Sequence, residues 1–168
     1  MDLTGISGVI FDLDGTLVES RLDFRRMRAD VGCPEGEDIL KFVDAIDCPE
    51  QQRQAHAIIQ QHELDDARSA TWLPNGKRMV SRVREQGLPM AIVTRNSPEA
   101  TRIKLVNNAI PIDLVLTRDD APPKPDPTAL LMVARHWQLP PAHCLYVGDF
   151  IYDQQAAENA GMRWLLVD

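Results

Sequence analysis

Five short apolar runs, each separated from the next by a helical stretch, set the strongest limit on how this chain can fold. They lie at 9–11, 89–93, 112–116, 144–147 and 164–167. Runs this short, apolar throughout save for Asp113, read as strands buried on both faces. Helices are predicted at 77–86, after the Ser97 cap with Pro98 and Glu99 in its first turn, at 127–137, and at 152–160, with Gly87 and Gly161 as stops. Strands alternating with helices imply a parallel sheet covered on both sides. Right-handed crossovers favour a doubly wound arrangement. The expectation is therefore an α/β, Rossmann-like, five-stranded parallel sheet with strand order 3-2-1-4-5.

Between the first and second strands the character changes. Leu22, Phe24, Met27 and Val31 form one helical stripe, and Gly32-Cys33-Pro34 stops it. Ile39, Phe42, Val43 and Ile46 have the spacing of an amphipathic helix. Asp47 is placed to cap a third helix, with Pro49 in its first turn and Ala55, Ile58, Ile59 and His62 on its stripe. The expected organisation is a core of residues 1–18 and 72–168, interrupted by a small helical subdomain at 19–71. A length of 168 residues suits one such domain with a modest insertion.

Composition narrows the function classes. The net charge is −7, from 18 basic and 25 acidic residues, which argues against a nucleic-acid-binding face. No apolar run is long enough to span a bilayer, and Met1-Asp2-Leu3-Thr4 lacks the pattern of a secretory signal. Cys33, Cys48 and Cys144 are odd in number and never paired as CxxC, so neither a disulfide framework nor a zinc site is expected. A cytoplasmic protein is the default.

Chemistry-bearing residues collect where the strands end. Asp12 and Asp14 follow the first strand, with Gly15 breaking the run. Carboxylates two apart leave a strand pointing the same way, and their repulsion needs a cation or a retained proton. Asp-x-Asp-Gly also opens a calcium loop, but here the twelfth position is Asp23 rather than Glu. Thr94-Arg95-Asn96 ends the second strand, Lys124 stands among four prolines, and Asp149 and Asp153 bracket a helix start. Each has an ordinary reading alone: a strand-end Thr, a solvated Lys, a first-turn acid. Their joint order is harder to obtain by accident. Carboxylates converging with Lys124 and Thr94 describe a phosphate site, and Mg²⁺ is the hard cation that suits it. Lys124-Pro125 is a candidate cis peptide, because a tight turn would have to aim the Lys inward.

The residues 12–18, Asp-Leu-Asp-Gly-Thr-Leu-Val, resemble the nucleophile motif of the haloacid dehalogenase superfamily. Thr94 resembles the end of its second motif, Lys124 in Lys-Pro-Asp-Pro its third, and Gly148-Asp149 through Asp153 its acidic fourth. The nearest subgroup is similar to phosphoglycolate phosphatases, which carry a helical cap at the position of 19–71. The resemblance implies a Mg²⁺-dependent phosphatase acting on a small phosphorylated metabolite, with no nucleic acid or membrane partner, as a monomer or alternatively a homodimer. It implies Asp12 as nucleophile, Asp14 as acid and base, and Thr94 and Lys124 as phosphate-stabilising groups. Leu13, Thr16, Arg95 and Asn96 would join the phosphate site. Asp12, the Asp14 main chain, Asp149 and Asp153 would form the metal site. Alternatives on the same scaffold are a phosphomutase or a non-catalytic phospholigand-binding protein. A receiver domain is disfavoured, since no Asp ends the third strand. Arg21, Arg25, Arg26 and Arg28 could meet an anionic substrate, though a solvated helix face is the ordinary reading. His56, His62, Trp72 and Trp164 read as packing or surface residues.

Overall fold

A computed structural model describes all residues from Met1 to Asp168. The elements in chain order are β1 (Gly8–Phe11), α1 (Phe24–Val31), α2 (Ile39–Asp44), α3 (Pro49–Ser69), α4 (Pro74–Glu85), β2 (Met90–Val93), α5 (Pro98–Asn107), β3 (Leu114–Leu116), α6 (Thr128–Trp137), a 3₁₀ turn (Pro141–His143), β4 (Cys144–Gly148), α7 (Ile151–Ala160) and β5 (Arg163–Leu166). All strand pairs are parallel and the order is β3-β2-β1-β4-β5, as the alternating pattern predicts. No helix is long and apolar enough to cross a membrane.

Side-chain alternation along the strands divides the core between the two faces. Val9, Phe11, Ile92, Leu145 and Val147 pack with Met79, Val80 and Val83 of α4. Ile10, Ala91, Val93 and Tyr146 pack with Leu130 and Val133 of α6 and with Ala156 and Ala157 of α7. Helices α1–α3 enclose a separate cluster that includes Met27, Leu40, Val43, Ala55 and Ile59.

Several local expectations change. The third strand is shorter than 112–116, and β5 is exposed over its first half, because both are edge strands with a single neighbour. Of the stripe Leu22/Phe24/Met27/Val31, only Met27 is buried; Leu22 precedes the helix and Phe24 stands in the open. The N-cap of α3 is Cys48, without a side-chain cap bond, so Asp47 lies one position too early. Proline at the first helical position starts α3 by fixing φ where an N–H would have no partner anyway.

Candidate active site

The central strand sets the geometry. Phe11 pairs with Ile92 on one side and Val147 on the other, so the carboxyl ends of β1, β2 and β4 finish side by side. The Asp12 N–H donates to the Val147 carbonyl at 2.8 Å, and the Thr94 N–H to the Leu116 carbonyl at 3.0 Å. Asp12, Asp14, Thr94, Arg95, Asn96, Lys124, Asp149 and Asp153 thereby line one cavity of about 510 Å³ beyond the sheet edge.

Lys124 forms part of its wall. It is buried, and its ammonium donates to Asp12 Oδ1 at 2.8 Å, Asp153 Oδ1 at 2.7 Å, the Tyr146 hydroxyl at 2.7 Å and the Val93 carbonyl at 3.3 Å. The Lys124–Pro125 peptide, a candidate from the sequence, is cis. Burial alone would lower the Lys124 pKa, but Asp12 and Asp153 outweigh it and raise it. Burial pushes the Asp12 carboxyl well above the ordinary range; Lys124 opposes this, while Asp153 and Asp149 add to it. Carboxylate oxygens of Asp12, Asp149 and Asp153 lie within 4.8 Å of one another.

Asp153 occupies the first turn of α7, whereas Asp149 precedes that helix rather than sharing its face. Both oxygens of Asp153 are engaged: Oδ1 accepts from Lys124 and Tyr146, and Oδ2 from the Asp149 and Phe150 N–H groups at 3.1 Å each. Asp149 stays exposed, and its Oδ1 accepts from the Thr16 hydroxyl at 3.3 Å. Gly15 makes room for it: φ is +77°, and a Cβ there would land on the Asp149 carboxylate. Gly148 does the same for Asp153.

Other predicted residues act less directly. The Leu13 side chain is buried in the core, so only its main chain can serve the cavity. Thr94 Oγ1 accepts from the Asn96 N–H at 3.1 Å, and the Asn96 amide donates to Asp14 Oδ2. Arg95 has several partners. It forks onto Asp38 at 2.7 and 2.9 Å, donates to the Lys124 carbonyl at 2.5 Å, and lies over the Tyr152 ring at 5.0 Å. Arg21, Arg25 and Arg26 are exposed, and Arg28 alone of that group lines the cavity. His56 and His62 face Asp44 and Asp30 on the surface of the helical segment.

Sequence reasoning missed Lys104. It is fully buried and bridges Asp14 Oδ1 at 2.5 Å and Asp66 Oδ2 at 2.9 Å. Its signal was its place four residues after Ala100, on the covered face of α5. Asp66 also accepts from the Arg21 N–H at 2.7 Å, where the chain enters the helical segment. Charge repulsion is not the main cause of the raised Asp14 pKa. Burial is the largest cause, Lys104 opposes it, and Asp66 and Glu63 contribute less. Glu63 and Arg118, paired at 2.6 Å, were missed as well.

The sequence profile of a family described as haloacid dehalogenase-like hydrolase matches residues 25–167. A haloacid dehalogenase-like hydrolase domain-containing protein of Arabidopsis thaliana is 29% identical, over 98% of this chain and 72% of its own length. A phosphoglycolate phosphatase of Rhodobacter capsulatus is 29% identical, over 94% of this chain and 82% of its own. The crystal structure of a hydrolase from Pseudomonas syringae superposes with a TM-score of 0.76 at 23% identity, covering 95% of this chain and 83% of that one.

Proposed function

The chain belongs to the haloacid dehalogenase-like hydrolases, and from that premise we propose that it is a Mg²⁺-dependent phosphatase of small phosphomonoesters. The observation that carries this reading is Lys124, held between Asp12 and Asp153 in a cavity that Asp14 and Asp149 also line. Relatives named phosphoglycolate phosphatase and pyrophosphatase agree with phosphoryl chemistry.

The donor set fits a hard divalent cation. Three carboxylates face a single ammonium, and the excess negative charge is one reason the Asp12 proton affinity rises. Asp12 and Asp149, with the Asp14 main chain, would hold the ion, while Asp153 aligns Lys124 and turns the loop after β4. When bound, the ion supplies Lewis-acid charge that offsets repulsion between Asp12 and the phosphate.

In the proposed reaction an Asp12 oxygen attacks phosphorus and the ester P–O bond breaks, leaving an aspartyl-phosphate. Asp14, whose pKa burial raises against the opposing Lys104 ammonium, gives a proton to the departing alkoxide and then takes one from the attacking water. Water attack breaks the acyl-phosphate P–O bond, so phosphate leaves and the Asp12 carboxylate returns. Lys124, Thr94 and main-chain N–H groups after Asp12 and near Arg95 stabilise charge on the transferred group. The segment 19–71 acts as a cap that covers the site and excludes water. Phosphate release by the Asp12→Asn variant should vanish while its circular dichroism stays that of the wild type. Near-normal release would overturn the mechanism.

A further inference from the structure

The cavity has no spare positive charge. Six carboxylates line it against four cations, and every cation is already engaged. Lys124 is shared by Asp12 and Asp153. Arg95 is held in a two-pronged pair by Asp38 of the helical segment. Arg118 pairs with Glu63 and donates to the Arg95 carbonyl at 3.2 Å. Arg28 is spent on main chain, donating to the Glu37 carbonyl and, at 3.3 Å, to that of Pro34. A divalent ion would be consumed by the transferred phosphoryl group. A second anion on the substrate would therefore be buried without a partner, which is strongly unfavourable.

What the cavity does offer is apolar surface and, in its wall, one buried acceptor without a donor. Leu22, Phe24, Met27, Leu40, Phe150 and Tyr152 line it. Phe24 and Phe150 are 55% and 57% exposed, unusual for large apolar side chains, and they come from the helical segment and the core respectively. Phe150 meets Tyr152 edge to face at 5.1 Å. Glu63 also lines the cavity and is almost completely buried; its Oε2 takes Arg118, but its Oε1 has no donor at all. A buried acceptor without a donor is costly, and a substrate hydroxyl would satisfy it.

We propose that the preferred substrates are monoesters of uncharged alcohols that present a hydroxyl donor and an apolar or aromatic face, and that carboxylated esters such as phosphoglycolate are discriminated against. This rests on the phosphatase reading and adds the leaving group to it. Binding separates the two. Calorimetric titration of the full-length Asp12→Asn chain with Mg²⁺ uses uridine 5′-monophosphate, aromatic and hydroxylated with one phosphate, against phosphoglycolate. Uridine 5′-monophosphate should bind at least about tenfold more tightly. Equal or tighter binding of phosphoglycolate, or no binding of either, overturns the inference. Adding Phe24→Ala or Phe150→Ala, both at exposed positions, should erase most of the preference. Adding Asp38→Asn should raise phosphoglycolate affinity about tenfold by freeing Arg95, since Asn keeps the N-cap bond to Leu40. Unchanged affinity there refutes the charge argument. If uridine 5′-monophosphate binds but wild-type protein releases phosphate from no ester, the phosphatase reading falls and the binding inference stands.

Discussion

Gly15 and Lys104 show how little a single position in the sequence says about what it does. The glycine was legible as a strand-ending turn, but not as the space that Asp149 occupies, because Asp149 lies far along the chain. Substituting Gly15→Ala forces a left-handed φ on a residue with a Cβ, costing about 1–2 kcal/mol. It also displaces Asp149, so phosphate release should fall by about 10–100-fold. Normal turnover of that variant would mean Asp149 has no part in the reaction. Lys104 reads in the sequence as a solvated helix residue, since lysine is seldom buried unless paired. Its two partners arrive from the β1 loop and from α3, and nothing local announces either. Lys104→Met leaves the Asp14 and Asp66 carboxylates facing each other without their cation. Urea unfolding should report a loss of about 3–5 kcal/mol; a loss below about 1 kcal/mol would place the bridge among weak surface pairs.

At the scale of elements, strands and helices were readable because each carries its own signal: apolar runs, Ser97 with Pro98, and Gly161 in a left-handed C-cap. Strand order followed from alternation and crossover handedness. The seating of α1–α3 on the sheet edge was not readable. It is fixed by pairs between remote residues, Asp38 with Arg95 and Glu63 with Arg118, and by a Gln60 to Glu99 hydrogen bond at 2.9 Å. The first of these makes a pH-dependent prediction. Burial tends to raise the Asp38 pKa, but the Arg95 hydrogen bonds and charge, with the capping N–H groups, outweigh it and leave it below the usual value. A carboxyl depressed in the folded state stabilises above its unfolded pKa, and that stability is lost as pH falls through the folded value. At pH 7 the wild type should exceed Asp38→Asn by about 1–2 kcal/mol, the scale of a charge-assisted hydrogen bond. Below the folded pKa of Asp38 the gap should close. A gap constant from pH 7 to pH 2.5 would show that the pair does not hold the helices in place.

Over the whole molecule, the site ties together segments that otherwise have separate cores. The α1–α3 cluster shares no buried apolar residue with the two sheet-face clusters. Three charged pairs, Asp38 with Arg95, Asp66 with Lys104 and Glu63 with Arg118, bridge them, and three other carboxylates, Asp12, Asp149 and Asp153, meet one another at the sheet edge. That convergence carries a stability cost when no cation offsets it, because like charges close together repel. Ligand binding to the folded state alone adds stability by mass action, about 2.7 kcal/mol at a hundred times the dissociation constant. For a chain of 168 residues this corresponds to a rise of about 5–10 °C in melting temperature. Saturating Mg²⁺ should produce that rise and a chelator should reverse it, with sodium chloride at matched ionic strength giving much less. Asp149→Asn should behave oppositely in each limit. Without Mg²⁺ it should melt no lower than the wild type, having lost a repelling charge, and with Mg²⁺ it should gain little. A full Mg²⁺ shift in Asp149→Asn would remove this carboxylate from the metal site, and no shift in the wild type would remove the ion itself from the proposed mechanism.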